Sequence, residues 1–228
     1  MALMYVYALL PTPTTALALP PGFASAAVQV ISQGPLAAIA EAIASVEALQ
    51  QDDEHLMQAV LNHDRVIRSL FAQTSLLPLR FGTCLASEAA LAQYLIEHSQ
   101  EHLRTLQHLA GKAEYCLSLT PLEASSEPAI APEDTTGKAY FLAKKQRYQA
   151  QADRQRQQAA DKDHLLEAIS QRYGDLRQGE PKAGTERVYL LVDRAQEPEL
   201  QRQLQAWQTQ TPHWSLLLGE ALPPYHFL

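Results

Sequence analysis

Met4 to Leu10, Met-Tyr-Val-Tyr-Ala-Leu-Leu, is an unbroken apolar and aromatic run that reads as a strand, ended by the Pro- and Thr-rich segment Pro11 to Gly22. Ala27 to Ser32 reads as a second strand and Gly34-Pro35 as a turn. Leu36 to Ile43 is open to two readings: its alanines favour a short helix by propensity, whereas the tight turn before it favours the return strand of a hairpin. From Asp53 to Gln73 the period changes. Leu56, Val60, His63, Ile67 and Leu70 recur at helical spacing and predict a helix with that stripe inward, His63 included. A histidine so placed is more often a hydrogen-bonded core residue than a ligand.

Leu76 to Thr83, Leu-Leu-Pro-Leu-Arg-Phe-Gly-Thr, is the stretch on which the preceding elements are expected to pack. Alternation as a strand sets Leu77, Leu79 and Phe81 on one face and Leu76, Pro78 and Arg80 on the other. Pro78 donates no ladder bond and points to an edge or irregularity, while Gly82 lets the chain turn out of the strand. Arg80, flanked by Leu79 and Phe81, must lay its stem on apolar surface and find a carboxylate or carbonyls. That makes it a structural anchor or, more sharply, a partner-binding arginine.

Beyond it, Ser87 and Glu88 start a helix expected to run to about Ala110, with Leu91, Leu95, Leu106 and Leu109 inward. His98 and His102 lie one turn apart, but no third ligand is specified, so a solvated face is the commoner role. Glu114 to Leu119 reads as a strand, and Pro121 to Thr136, rich in Pro, Ser, Ala and Glu, as a linker. Lys138 to Tyr173 contains no Gly or Pro, which predicts one long helix or two consecutive ones. Tyr140, Phe141, Leu165, Leu166 and Ile169 are expected to pack, and Arg147 to Asp163 to be exposed or paired with another chain. A loop at Gly179 to Gly184, a buried strand at Arg187 to Val192, a helix at Pro198 to Thr209 and a strand at Trp214 to Leu218 complete the pattern.

Charge sharpens the division. Met1 to Thr120 carries five Lys/Arg, none before Arg65, and ten Asp/Glu, whereas the rest carries thirteen and fifteen. A net charge of -7 disfavours nonspecific binding to nucleic acid or anionic lipid. Cys84 and Cys116 are too few for a disulfide framework, which suits a reducing cytoplasm and buried free thiols. Met1 to Leu10 lacks a basic n-region, and no stretch approaches the roughly 20 apolar residues of a membrane span. The expectation is a soluble, cytoplasmic α+β protein of two domains. Residues 1–120 form a ferredoxin-like antiparallel sheet with helices on one face; 137–228 form an α+β domain with a long helix.

Six stretches, in order, resemble the GvpF/GvpL family of gas vesicle proteins. Tyr-Val-Tyr-Ala around Tyr7 is similar to the family's opening strand, His63 with Val66 to its helix motif, and Leu-Pro-Leu-Arg-Phe-Gly-Thr, with Pro78, Arg80, Phe81 and Gly82, to its central motif. Glu114-Tyr115 resembles its Glu-Trp strand and Gly137 to Phe141, with Tyr140, its Gly-x-x-Tyr-Leu motif. The tail, with Pro223, Pro224, Tyr225 and Phe227, resembles its Pro-Pro-Tyr-Ser-Phe ending, although Gly-Glu-Ala-Leu replaces Gly-Pro-Trp and His226 replaces the serine. The resemblance implies a hairpin for Leu36 to Ile43 and a minor structural or assembly component, associated with the gas vesicle. Its implied partners are the hydrophobic main shell protein, which it keeps from aggregating, and other gas vesicle accessory proteins.

Nothing in the sequence requires an enzyme or a cofactor: there is no phosphate loop, Gly-x-Ser-x-Gly, Cys-x-x-Cys or His-Glu-x-x-His. Two other classes stand as alternatives. A nucleic-acid-binding ferredoxin-like protein needs exposed aromatics and a basic face, and a small-molecule or cofactor-binding α+β enzyme would show a bound chromophore.

Overall fold

The computed structural model describes residues 2–23, 27–49, 51–123 and 138–228. The chain is α+β and folds into two compact units, Met1–Glu114 with Ala221–Leu228, and Tyr115–Glu220. The expected boundary after Thr120 lies further on, and the tail, expected with the C-terminal domain, is grouped with the first unit. Residues 124–136 of the expected linker, and Gly137, lie outside the described residues.

In the first unit, β1 (Leu3–Pro11), β2 (Gln29–Gln33), β3 (Leu36–Ile43) and the two-residue β4 (Leu77–Pro78) form an antiparallel sheet in the order β2-β3-β1-β4, with β5 (Cys84–Leu85) also paired to β1. Gly34 takes φ +59° in the β2–β3 hairpin, so Leu36–Ile43 is the return strand. Every residue of β1 from Met4 to Leu10 is buried, which removes both of its faces from water. A bulge leaves Tyr7 without an opposite residue on β3, where Val6 faces Ala40 and Ala8 faces Ile39. Helix α1 (Asp53–Phe71) starts at Asp52, whose carboxylate accepts from the His55 amide at 2.8 Å. It buries Ala59, His63, Val66, Ile67 and Leu70; Val60, expected inward, is exposed because the apolar stripe is centred one residue away.

The expected single helix after Ser87 is two helices, α2 (Glu88–Glu97) and α3 (Ser99–Leu109), broken at His98. Leu91, Leu95, Leu106 and Leu109 are buried as expected. In the second unit, β6 (Lys112–Pro121), which starts in the first, joins β7 (Leu176–Gln178), β8 (Glu186–Asp193) and β9 (Trp214–Leu218) in the order β7-β8-β6-β9. The strand expected to complete the first sheet thus serves the second. Helix α4 (Lys138–Tyr173) is one continuous helix, and α5 (Glu197–Gln210) buries Leu200 and Trp207. Leu165 and Ile169 anchor the end of α4, but Tyr140 and Phe141 are exposed, contrary to expectation. Their end of the helix finds no apolar cover among the described residues.

Candidate functional site, the clipped Arg80 turn

Leu76 to Thr83 is not one strand. Leu79 N–H donates to the Tyr7 carbonyl and Val6 N–H to the Thr83 carbonyl, both at 2.9 Å, so the chain pairs with β1 on either side of an excursion at Arg80 to Gly82. Thr83 closes the turn by donating its amide (3.1 Å) and hydroxyl (2.7 Å) to the Arg80 carbonyl. Gly82 sits at φ +86°, a left-handed conformation that side chains resist, which is why this alternating apolar run cannot continue as a strand. Pro78 pairs with Ala8 at the sheet edge, as its missing N–H requires.

The turn is held from below by a relay across the unit. Leu79 carbonyl can only accept, so His63 Nε2 carries the proton and donates to it at 3.0 Å. Nδ1 is then the acceptor for the Tyr5 hydroxyl at 2.9 Å, and that hydroxyl accepts the Gly82 amide at 3.1 Å. Tyr5, Tyr7 and Phe81 box the imidazole, with Phe23 packed against all three rings: Tyr7 stacks on it at 5.5 Å between centroids, while Tyr5 and Phe81 each present an edge at 5.7 Å. Burial lowers the His63 pKa, opposed by the bond to Leu79 and the charge of Asp64. Burial likewise carries the Tyr5 phenol well above its ordinary value. The histidine is the core residue expected from its position.

Beside this box lies a buried acid that the sequence reading passed over. Glu41 on β3 is fully buried and accepts from the Phe23 amide at 3.0 Å. A Cβ on Gly22 would stand 1.5 Å from Glu41 Oε2 and 3.0 Å from the Tyr7 hydroxyl, so the glycine backbone fills the gap between them. Burial, then the Glu41 charge, raise the Tyr7 pKa far above the usual phenol range. The available signal was a lone acid in an otherwise apolar strand.

Arg80 itself is exposed and makes no ion pair among the described residues, which corrects the expectation of a buried anchor. A turn puts its side chain outside, where a strand would have put it on a face. Phe81 is half-buried against the box.

The tail is fixed to the same unit. Leu222 exchanges backbone bonds with Glu114 at 2.8 and 2.9 Å, Pro223, Pro224 and Phe227 are buried, and Tyr225 donates to Asp64 at 2.8 Å. Glu114, another buried acid, accepts from the His226 amide at 2.8 Å and from His226 Nδ1 at 2.7 Å. The His226 that replaces a serine thus has an acid waiting for it. Tyr7, His63, Pro78, Phe81 and Gly82 come together at the turn, the tail residues attach to the next residue of α1, and Tyr140 lies on α4 in the other unit.

Elsewhere, Tyr94 bonds His102 at 2.9 Å and its ring lies 4.5 Å from that of His98, so aromatic packing occupies this pair. No cluster of three metal-ligating side chains occurs among the described residues. Cys84 and Cys116 are half-buried and are not joined in a disulfide. No described helix is long and apolar enough to cross a membrane.

The family profile described as gas vesicle synthesis protein GvpL/GvpF matches residues 3–228. The chain belongs to the GvpL/GvpF family. Two solved structures share its fold. Gas vesicle protein GvpF from Anabaena sp. is 16% identical with a TM-score of 0.70, covering 100% of this chain and 96% of that one. GvpF from Microcystis aeruginosa is also 16% identical, with a TM-score of 0.67 and coverage of 100% and 99%. No curated protein sequence gives a significant match. In this GvpL/GvpF chain the central motif is therefore a clipped turn that displays an arginine.

Proposed function

We propose that this chain is a gas vesicle assembly component whose first unit binds the small hydrophobic main shell protein and prevents its aggregation while the shell forms. The observation that supports it is an apolar stripe left on the outer side of α1. Met57 and Leu61 are 59% and 55% exposed, and Val60 lies beside them at helical spacing. A sealed sheet behind the helix makes this stripe a firm surface on which an apolar segment can lie. Asp52, Asp53 and Glu54 at the start of the helix, within a chain of net charge -7, keep the complex dispersed in the cytoplasm. Arg80, presented on a rigid turn, offers a fork to a carboxylate or a carbonyl of the same partner. Other accessory proteins of the vesicle are the remaining partners of this reading.

The test uses the full chain and the purified main shell protein. Wild type should bind it in a pull-down and delay the rise of light scattering when denaturant is diluted away. Met57→Ser with Leu61→Ser should weaken both effects several-fold without changing the circular dichroism. Undiminished binding by that variant would remove the stripe from the mechanism, and an unchanged aggregation time with wild type would remove the protective role.

A further inference from the structure

The first half of α4 carries a second surface, independent of the shell-binding reading. Phe141, Tyr148 and Ala152 fall in one line along the helix, with Lys144 on one flank and Lys145 and Arg156 on the other; all six line a single open groove. At 3.6 residues per turn this ridge is roughly 16 Å long, three turns of helix. Phe141 and Tyr148 are 75% and 62% exposed, an arrangement that leaves two large rings in water. Lys144 lies 6.0 Å from the centre of the Tyr148 ring, and neither Lys144 nor Lys145 makes an ion pair among the described residues. Between Tyr140 and Gln158 there are five Lys/Arg and a single acid, Asp153, which pairs with Arg156 at 3.2 Å.

We propose that this face docks an acidic amphipathic helix of a partner protein, its apolar stripe on Phe141 and Tyr148 and its carboxylates beside Lys144 and Lys145. A helix has no spare backbone groups to offer a strand, so recognition has to run through side chains, and a narrow ridge of this length suits a second helix. The charge of the groove selects the sign of the flanks. An extended polyanion such as DNA or an anionic bilayer meets the summed field of a chain at -7, whereas a few carboxylates inside one Debye length feel the local lysines. A second copy of α4 is a poor occupant. Its other half offers no free apolar stripe, since Leu165 and Ile169 are buried in its own unit and Asp161 accepts from His213 at 2.8 Å.

The experiment is fluorescence anisotropy on the full chain. The probe is a labelled designed helix of about 20 residues, with a Leu/Ala stripe flanked by glutamates, beside a control with lysines in their place. The glutamate probe should bind with a marked salt dependence and the lysine control should not. Phe141→Ser with Tyr148→Ser should weaken binding by about tenfold or more, and Lys144→Glu with Lys145→Glu should reverse the preference toward the lysine probe. All four positions are exposed, so circular dichroism and Tm should match wild type. Absence of binding by the glutamate probe, equal binding of both probes, or tighter binding of single-stranded DNA or anionic vesicles overturns the proposal. A dimer by analytical ultracentrifugation that Phe141→Ser with Tyr148→Ser dissolves also overturns it, assigning the face to a second copy.

Discussion

His63 and Asp64, consecutive on α1, tie two distant stretches of chain to one helix. His63 donates to the Leu79 carbonyl at 3.0 Å under the Arg80 turn, and Asp64 accepts from Tyr225 of the tail at 2.8 Å. Neighbours on a helix point about 100° apart, so adjacent residues serve different partners without competing. The central motif and the tail motif, distant in sequence, are thereby positioned by one rigid element.

Removing the Tyr5 hydroxyl tests the clip. Tyr5→Phe keeps the ring in its box but leaves the buried His63 Nδ1 without a donor and the part-buried Gly82 amide without an acceptor. The expected loss is about 1–3 kcal/mol of unfolding free energy, with faster hydrogen exchange at the Gly82 amide. Unchanged exchange there would mean that the turn is held by its Thr83 bonds alone.

His63 also gives stability a pH dependence of known sign. Its folded pKa lies below the unfolded value because burial disfavours the imidazolium, although Asp64 opposes this. The unfolded chain therefore binds the extra proton. Stability from this group is complete above the ordinary histidine value and is lost as pH falls through it toward the depressed folded value, at up to about 1.4 kcal/mol per pH unit. Wild type minus His63→Gln, followed by urea unfolding between about pH 7 and pH 5, should decline on acidification. A flat difference would show that His63 titrates alike in both states.

How far the sequence carried this fold is clearest around that histidine. An unbroken apolar and aromatic run found β1, and helical period found α1 and the buried side of His63, because burial imposes those patterns directly. The Leu76–Thr83 excursion escaped, since apolar alternation there continues through residues that turn: Pro78 and Gly82 were visible, but the Tyr5 hydroxyl that fixes the turn comes from 77 residues earlier. The burial of Glu41 and Glu114 was not legible because their partners, Phe23 and His226, are likewise distant. Tyr140 and Phe141 were expected inside on hydrophobicity alone, which cannot say whether a surface has anything to meet.

Two glycines separate crowding from backbone strain. Gly22→Ala puts a methyl into the space between Glu41 and Tyr7, both fully buried, so a side chain in a packed core must move; about 2–4 kcal/mol of destabilisation is expected. Gly34→Ala meets nothing within 4 Å but must hold φ at +59°, and about 1 kcal/mol is expected. Chemical denaturation ranks the two, and a costlier Gly34→Ala would mean that the pocket around Glu41 yields easily.

Arg80→Ala should leave stability within about 0.5 kcal/mol of wild type, because an exposed side chain with no ion pair among the described residues supports nothing internally. Shell-protein capture in the pull-down should nevertheless fall. A variant that melts several degrees lower would restore the arginine to an internal role.

Glu114 sets an opposite pH dependence to that of His63. The side chain is 1% exposed, and burial raises its pKa above the ordinary carboxyl value even though both His226 bonds pull it down. The folded chain therefore holds this proton more tightly than the unfolded one. Its contribution is complete below the ordinary carboxyl value and is lost as pH rises through the raised one. Glu114→Gln keeps an acceptor for the His226 amide and removes the ionisation, so wild type minus Glu114→Gln should fall as pH rises from about 4.5, by up to about 1.4 kcal/mol per unit. Glu114→Ala is the contrasting change: it strands the His226 amide at every pH and costs about 1–3 kcal/mol. It should also loosen the tail, read as faster carboxypeptidase trimming past Phe227. A Glu114→Gln variant that is least stable relative to wild type near neutral pH would mean that the pair with His226 outweighs the burial of the charge.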